Sequence, residues 1–333
     1  MMASDVCILV PTLRRPESLD RALRSLFVKT SVADRVREIM VVDNDPLGSA
    51  AAMVEGLRAL SPWPLIYRHA ANPGVATVRN AGLAETHAPL IAFLDDDQVA
   101  GPTWLAGMLD AQTSTGADVV FCQTRGHAPD AEPWLRPYLE RFFGREGPDR
   151  TGLIDYPTYG CGNSLMVRQT ALPGKAPFDP AFDQAGGEDD ALFAALASRG
   201  GRFAWAADAW VDEIALPHRA TLRYALARAF AYGQGPSQTA AARRDWLGVA
   251  RWMAVGSAQT VAWGVASLVL SVIASPRRAE ALDRTARGVG KLFWMKGLEP
   301  HFYGARELAR LDSNNPLIPA NAGTQMANPG VGG

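Results

Sequence analysis

Leu90-Ile91-Ala92-Phe93-Leu94-Asp95-Asp96-Asp97 is the stretch on which the reading of this chain turns. A short, continuous apolar run fits a strand buried on both faces, as in sheets covered by helices. The three carboxylates that end it repel one another unless a cation or hydrogen-bond donors compensate. A solvated acidic turn is the plainer reading. The position directly behind a buried strand favours a site instead, because open α/β sheets bind ligands beyond the carboxyl ends of their strands. Carboxylates together with phosphate oxygens suit Mg²⁺ or Mn²⁺, so a diphosphate bridged by a divalent ion is the natural compensator.

Outward from that strand the chain alternates strand and helix. Val6–Val10 and Ile39–Val42 are further buried apolar runs, and Leu65–Tyr67 is a third. Between and after them, Pro16–Phe27, Ala50–Leu60 and Gly74–Thr86 carry helical spacing, as Leu19, Ala22, Leu23, Leu26 and Phe27 illustrate. Trp104–Thr113 continues as helix and Ala117–Cys122 as strand. This order predicts an α/β fold, a mostly parallel sheet with helices on both faces. Pro11-Thr12, Asp43-Asn44 and Asp95–Asp97 all follow strands, so three strands deliver polar groups to one edge.

Residues 126–160 are rich in Pro, Gly, Trp and Tyr and predict a loop-rich insertion over that edge. A strand over Asn163–Val167, a loop over Phe178–Gly187 and a helix over Glu188–Arg199 follow. Phe203–Trp205 and Trp210-Val211 read as two strands, and Thr221–Tyr232 as a helix.

Several residues carry chemistry in this arrangement. Asp43 and Asn44 could accept and donate hydrogen bonds at a nucleobase edge, or simply form a turn with Asp45-Pro46. Arg79 could reach a diphosphate, and Asn80 could brace the loop after Asp95; a surface Arg beside a packing Asn is the alternative. Gly186-Gly187-Glu188-Asp189-Asp190 opens a helix. Acidic residues favour a helix N-terminus on electrostatic grounds alone. The glycine pair, however, permits close approach of a ligand, and a carboxylate fixed at such a turn can act as a base.

The 333 residues are 48% hydrophobic and 20% charged, a globular composition rather than a disordered one. Net charge is −1, but from Arg219 onward 14 Lys/Arg stand against 6 Asp/Glu, which is +8 and leaves −9 for the rest. An acidic N-terminal part argues against nucleic acid as partner. The basic part could meet an anionic membrane surface or be an ordinary solvated face. Trp252–Pro276 holds 25 residues without charge, flanked by Arg251 and Arg277-Arg278. Its length would span a bilayer. Its Ala, Gly, Ser, Thr and Gln content favours a buried or interfacial hairpin over a span. Cys7, Cys122 and Cys161 are odd in number and widely spaced, neither a disulfide framework nor a zinc site. A reducing cytosol fits, and the N-terminus has no basic and apolar leader pattern. The residues from 312 to 333 are polar and aperiodic and read as a disordered tail.

Taken in order, Val-Pro-Thr-Leu-Arg-Arg-Pro (10–16), Val-Val-Asp-Asn-Asp-Pro (41–46), Asn-Pro-Gly-Val-Ala-Thr-Val-Arg-Asn-Ala-Gly (72–82), Phe-Leu-Asp-Asp-Asp (93–97) and Gly-Gly-Glu-Asp-Asp (186–190) resemble glycosyltransferase family 2, whose fold is the Rossmann-like GT-A fold. The resemblance covers about 5–235, and within the family it is nearest to bacterial succinoglycan-type exopolysaccharide β-glucosyltransferases. It implies a nucleotide-diphospho-sugar donor, often UDP-linked, and a divalent metal, Mn²⁺ or Mg²⁺. By position, Pro11, Thr12, Asp43 and Asn44 would line the nucleoside pocket. Arg79, Asn80, Asp95 and Asp96 would serve the donor, and Asp97, with Asp95, the metal. Asp189 would be the base with Glu188 beside it, and Gly162 and Asn163 would lie near the sugar or acceptor. His218 stands where some relatives place a third metal ligand, in a poorly matching Pro-His-Arg context.

The chain is thus expected to divide into a catalytic domain (1–235), a helical, apolar and basic membrane-associating region (236–311) and the tail (312–333). Inverting sugar transfer to a saccharide or lipid-linked acceptor, at the inner face of the cytoplasmic membrane, is the activity implied. A nucleotidyltransferase would also use strand-end carboxylates and a metal, but Leu9–Arg15 lacks the glycines usual there. A non-catalytic nucleotide-sugar-binding partner would not need Glu188-Asp189.

Overall fold

The computed structural model of the protein describes residues 4–28, 31–155, 159–184, 186–300, 302 and 308. The expected tail at 312–333 lies outside the described residues.

Strand β1 (Val6–Thr12), helix α1 (Pro16–Leu26), β2 (Val36–Asp43), α2 (Ala51–Leu57), β3 (Leu65–His69), α3 (Val75–Glu85) and β4 (Leu90–Phe93) follow the expected alternation. β1 pairs in parallel with both β2 and β4, and β2 with β3. Alternate residues of each strand enter opposite cores, as the two-residue period of a strand requires. Val6, Ile8 and Val10 pack on one face with Leu19 and Leu23 of α1, and Cys7 and Leu9 on the other with Ala76 and Leu83 of α3.

Beyond β4 the elements are β5 (Gln98–Ala100), α4 (Trp104–Thr115), β6 (Val119–His127), α5 (Arg136–Phe143), β7 (Gly152–Ile154), β8 (Ser164–Val167), α6 (Arg168–Ala171), α7 (Glu188–Ser198) and β9 (Phe203–Ile214). Here antiparallel pairings join the parallel ones, while β6 still pairs in parallel with β9. The sheet of nine strands runs β3-β2-β1-β4-β8-β6-β9-β5, with β7 also on β9. β8 enters antiparallel between β4 and β6, so the sheet is mixed.

Two local expectations are corrected. The stretch 126–160 is not only loop: it holds α5 and β7, and Tyr138, Leu139 and Phe143 of α5 form a third core with Ala215, Ala220, Ala225 and Ala279. The pair of strands near 203–211 is one strand, β9, whose register against β6 shifts between Cys122 and Gln123.

Helices α8 (Leu222–Ala242), α9 (Trp246–Val272) and α10 (Arg278–Leu292) follow β9. The boundary expected at 235 falls inside α8, which continues through Pro236. Both α8 and α10 meet α5: Ala225 sits in the core with α5, and Tyr138 donates its hydroxyl proton to Asp283 of α10 at 2.9 Å.

Candidate active site

The carboxyl ends of β1, β2 and β4 open into a cleft of about 1330 Å³. Its floor is the Asp95–Asp97 turn. Asp96 points back into the protein, 3% exposed, where it accepts from Thr12 Oγ1 at 2.7 Å and from Arg15 Nη1 at 2.8 Å. This ties the end of β1 to the end of β4. Asp97 turns the other way and lies between two guanidinium groups, 3.5 Å from Arg15 and 3.4 Å from Arg219. Asp95 keeps 36% of its side-chain surface open to the cleft. It nevertheless sits deep enough for loss of solvent to push its carboxyl up to about 6, with Arg79 opposing and Asp97 and Asp96 adding repulsion.

Opposite this floor stands the start of α7. Gly187 precedes it with a φ of 95°, in the left-handed region that glycine tolerates. Glu188 is buried and forms an ion pair with Arg79 of α3, whose other arm reaches Asp95 at 3.7 Å. Burial holds the Glu188 carboxyl up at about 7, against the pull of Arg79. Asp189 Oδ2 accepts the Cys161 amide at 3.0 Å and Oδ1 the Asp190 amide at 2.9 Å. The loop before β8 thus fixes Asp189 at the cleft wall.

The structure brings Pro11, Thr12, Asn44, Arg79, Asp95, Asp96, Asp97, Gly162, Asn163, Glu188 and Asp189 to the lining of one cleft. Their side chains do not all face the ligand space as expected. Asn44 Nδ2 donates to the carbonyls of Ala70 and Asn72, each at 2.8 Å, and its Oδ1 accepts from Gly74 N–H at 2.8 Å. It pins the β3–α3 loop. Asn163, with a φ of 88°, buries its amide against the Cys122 and Gln123 carbonyls and Trp104 Nε1. Arg79, expected near a diphosphate, lines the cleft, pairs with Glu188 and lies 3.7 Å from Asp95.

Asp43, Asn80 and His218 are not among the described residues that line the cleft. Asp43 is fully buried, and its carboxylate accepts the Asp45 and Ala50 amides and the Tyr67 hydroxyl, within 3.0 Å each. These bonds shape the β2–α2 turn. Asn80 braces Phe178, accepting its N–H at 3.1 Å and donating to its carbonyl at 2.7 Å, rather than the loop after Asp95. At His218 it is the neighbour Arg219 that reaches the cleft.

Besides Arg219, two residues without an assigned role in the sequence, Glu213 and Arg15, line the cleft, and Asp183 supports it from outside the lining. Glu213 arrives because β5 pairs antiparallel with β9, setting Gln98 opposite Glu213. Burial and repulsion from Asp97 push its carboxyl up to about 7, with Arg145 opposing. Arg15 belongs to a quoted motif, but its pairing with Asp96 depends on β1 and β4 being neighbours. Asp183 accepts from the amides of Ala76 and Thr77 at 2.8 and 2.9 Å, and so caps the first turn of α3 from a distant loop. None of these pairings has a periodicity or spacing signature.

A metal fits the floor in one way. Among the described residues no three His, Cys, Asp or Glu side chains converge as a ready-made cage. Asp95 and Asp97, with Glu213 close enough to repel Asp97, supply two carboxylates, and Arg15 and Arg219 already flank Asp97. Mg²⁺-type sites commonly use one or two carboxylates and complete their shell with substrate phosphates. The donor set matches that pattern.

Comparison with known proteins agrees with this geometry. The model of the family described as glycosyl transferase family 2 matches residues 7–171. The chain is 33% identical over 305 residues to the succinoglycan biosynthesis protein ExoM of Rhizobium meliloti (strain 1021), covering 90% of this chain and 96% of that one. It is 29% identical over 147 residues to validoxylamine A glucosyltransferase of Streptomyces hygroscopicus subsp. jinggangensis (strain 5008), covering 44% and 35%. In fold it is similar to GalNAc-T7 crystallised with UDP, GalNAc and Mn²⁺, at a TM-score of 0.52 and 14% identity, covering 72% of this chain and 52% of that one. It is also similar to S. aureus TarS 1-349, at 0.50 and 15%, covering 90% and 99%. With the strand-end carboxylates and the α7 acidic pair facing one cleft, the chain is a GT-A-fold glycosyltransferase and belongs to glycosyltransferase family 2.

Proposed function

We propose that this glycosyltransferase moves a hexose from a UDP-linked donor, with inversion, to a hydroxyl of a saccharide or lipid-linked acceptor in exopolysaccharide or cell-surface synthesis. The observation that carries the reading is Asp189, fixed at the start of α7 in the same cleft as Asp95 and Asp97. Asp189 takes the proton of the acceptor hydroxyl. That oxygen forms a bond to the anomeric carbon as the bond from that carbon to the diphosphate oxygen breaks. UDP leaves with the electron pair, and an α-linked donor yields a β-linkage.

Asp95 and Asp97 would hold a divalent metal, Mn²⁺ or Mg²⁺, which when bound neutralises charge on the diphosphate. Arg15 and Arg219, on either side of Asp97, add positive charge at the same place. Pro11, Thr12 and Asn44 would flank the nucleoside. Glu188 holds Arg79 and, through it, the position of Asp95. Gly162 leaves room for Asp95. The acceptor half of the cleft is walled by α8 and α10, with Tyr224, Tyr232, Arg228 and Arg287. Aromatic faces and guanidinium groups suit a saccharide carrying negative charge.

Support from relatives is consistent: ExoM is named for succinoglycan biosynthesis, and GalNAc-T7 was crystallised with UDP and Mn²⁺. The apolar, basic C-terminal helices support work at the inner surface of the cytoplasmic membrane. The test is incubation of the purified chain with UDP-glucose, other UDP-sugars, Mn²⁺ and candidate acceptors. UDP release with a β-linked product by NMR is expected. Release of pyrophosphate would indicate a nucleotidyltransferase instead, and donor binding without turnover a binding partner.

A further inference from the structure

Asp283 of α10 is a buried carboxylate, 8% exposed, that lines no part of the catalytic cleft. It has two partners. From α5, Tyr138 donates its hydroxyl proton to Oδ2 at 2.9 Å. One turn further along α10, Arg287 Nε donates to Oδ1 at 2.7 Å. Burial and the Asp283 charge push the Tyr138 phenol up, so it stays a donor. Arg287 does line the cleft, and 38% of its side-chain surface is open. Among the described residues, no protein group accepts a hydrogen bond from its Nη1 or Nη2. The guanidinium is thus held at one nitrogen and keeps the other two for the cleft. Its backbone is fixed as well: a Cβ added at Gly233 of α8 would stand 2.3 Å from the Arg287 carbonyl oxygen, so the two helices touch at this point.

A structural tie does not account for this arrangement. An arginine–aspartate pair one helical turn apart adds little on a surface. A buried carboxylate is costly unless further hydrogen bonds satisfy it, and apolar side chains would join α5 to α10 at lower cost, as they do in the third core. What the pairing achieves is orientation of a cation. A guanidinium plane binds carboxylate or phosphate through two parallel N–H groups, and a fork already fixed loses little freedom on binding. The surrounding wall suits such a group. Arg287 and Arg228 of α8 both lie over the Tyr232 ring, at 5.2 and 5.0 Å. Glu299, in the same lining, is engaged by Gln238 Nε2 at 2.6 Å. Burial and the Asp189 charge push the Asp190 carboxyl up to about 6 and Arg228 opposes them, so Arg228 faces the acidic start of α7. A group held at Arg287 therefore lies along the wall that leads to Asp189.

We propose that Arg287 selects an acceptor saccharide that carries a carboxylate or phosphate, and that Asp283, with Tyr138, is the positioning residue that keeps the Arg287 fork turned to the cleft. The proposal deepens the reading of this wall as the acceptor side and rests on it. A neutral saccharide would leave both Nη groups to water. A free inorganic anion would leave the Tyr232 face uncovered, whereas an acidic sugar meets both.

The experiment measures Kd by ligand-observed NMR for methyl β-glucoside, methyl β-glucuronide and methyl β-glucoside 6-phosphate, on the full chain saturated with UDP and Mn²⁺. At least one acidic glycoside is expected to bind about ten-fold tighter than the neutral one, as a hydrogen bond to a charged group would give. Which of the two binds tighter tells carboxylate from phosphate. Arg287→Gln should remove the preference. Asp283→Ala keeps the arginine and releases its orientation. If charge alone acted, the acidic glycoside would then bind more tightly, because a competing carboxylate is gone. A loss of about five-fold is expected instead, the worth of one ordinary hydrogen bond. Tyr138→Phe should shift affinity in the same direction, and it reads the same tie should Asp283→Ala fail to fold. Circular dichroism and UDP affinity monitor the fold of every variant. Equal Kd values for the three glycosides in the parent overturn the proposal. Inorganic phosphate binding as tightly as the acidic glycoside, and lost in Arg287→Gln, would mark a free-anion site and overturn it too. Unchanged or tighter binding in both Asp283→Ala and Tyr138→Phe removes the positioning role. A parent that binds UDP but none of the glycosides counts against the acceptor reading of this wall, on which the proposal stands.

Discussion

The carboxylate of Asp95 rests against the bare Cα of Gly162, where an added Cβ would stand 1.9 Å from Oδ2. A short side chain on a strand end has little room to withdraw, so Gly162→Ala must displace the Asp95 carboxylate from the cleft floor. Misplacement on the order of 1 Å in a catalytic constellation costs about 100-fold in rate. Gly162→Ala is therefore expected to lose about that much kcat/KM while Tm changes little, measured by UDP release and thermal melts. A variant with near-parent kcat/KM would show that the position of Asp95 is not critical.

Asp97 lies between Arg15 and Arg219 at the place proposed for the metal. Asp97→Asn removes one carboxylate from a set of two. The Mn²⁺-dependent part of UDP affinity should fall by at least ~10-fold, the lower end seen even for groups that only orient metal ligands. Isothermal calorimetry of UDP with and without Mn²⁺ measures it. Equal Mn²⁺ dependence in parent and variant would remove Asp97 from the metal site.

Asp189 is anchored by two backbone amides, so Asp189→Asn can keep the Asp189 Oδ interactions in part while losing basicity. Turnover should drop by at least ~100-fold, the lower range for lost general-base help, with donor affinity nearly unchanged. The comparison is kcat against donor Kd for the same preparation. A loss confined to Kd would reassign Asp189 to binding.

Glu188 is held at about 7 by burial, well above the ~4.3 of an exposed glutamate in the unfolded chain. Between those values the folded state binds a proton that the unfolded state does not. Stability from this group is thus fully present below the unfolded value and is lost as pH rises through about 7. The parent should lose stability from pH ~4 to ~7, and Glu188→Gln, which cannot ionise yet still offers Arg79 a carbonyl oxygen, should flatten that fall. Urea melts across this range test it, and parallel slopes in the two proteins would assign the effect to other groups.

The sequence by itself determined the order of the first four strands and their helices, because buried parallel strands are continuous apolar runs and the helices carry regular spacing. It also singled out Asp95–Asp97 and Glu188-Asp189, each at an element end, and these line one cleft. It could not tell which polar groups face the ligand and which face the protein. Asp43 and Asn44 occupy the expected strand end, yet both are satisfied by neighbouring backbone and hydroxyl groups, and Asn163 is turned inward. The antiparallel entry of β8, the single strand β9 with its register shift, and the pairing of Gln98 with Glu213 were settled only by tertiary contacts. Strand neighbours far apart in sequence leave no local period, so Glu213, Arg15, Arg219 and Asp183 reach their partners only when the sheet closes. The same holds for α9: its apolar length is legible residue by residue, but which side of it meets α10 and which side is left exposed is decided by how α8, α9 and α10 pack.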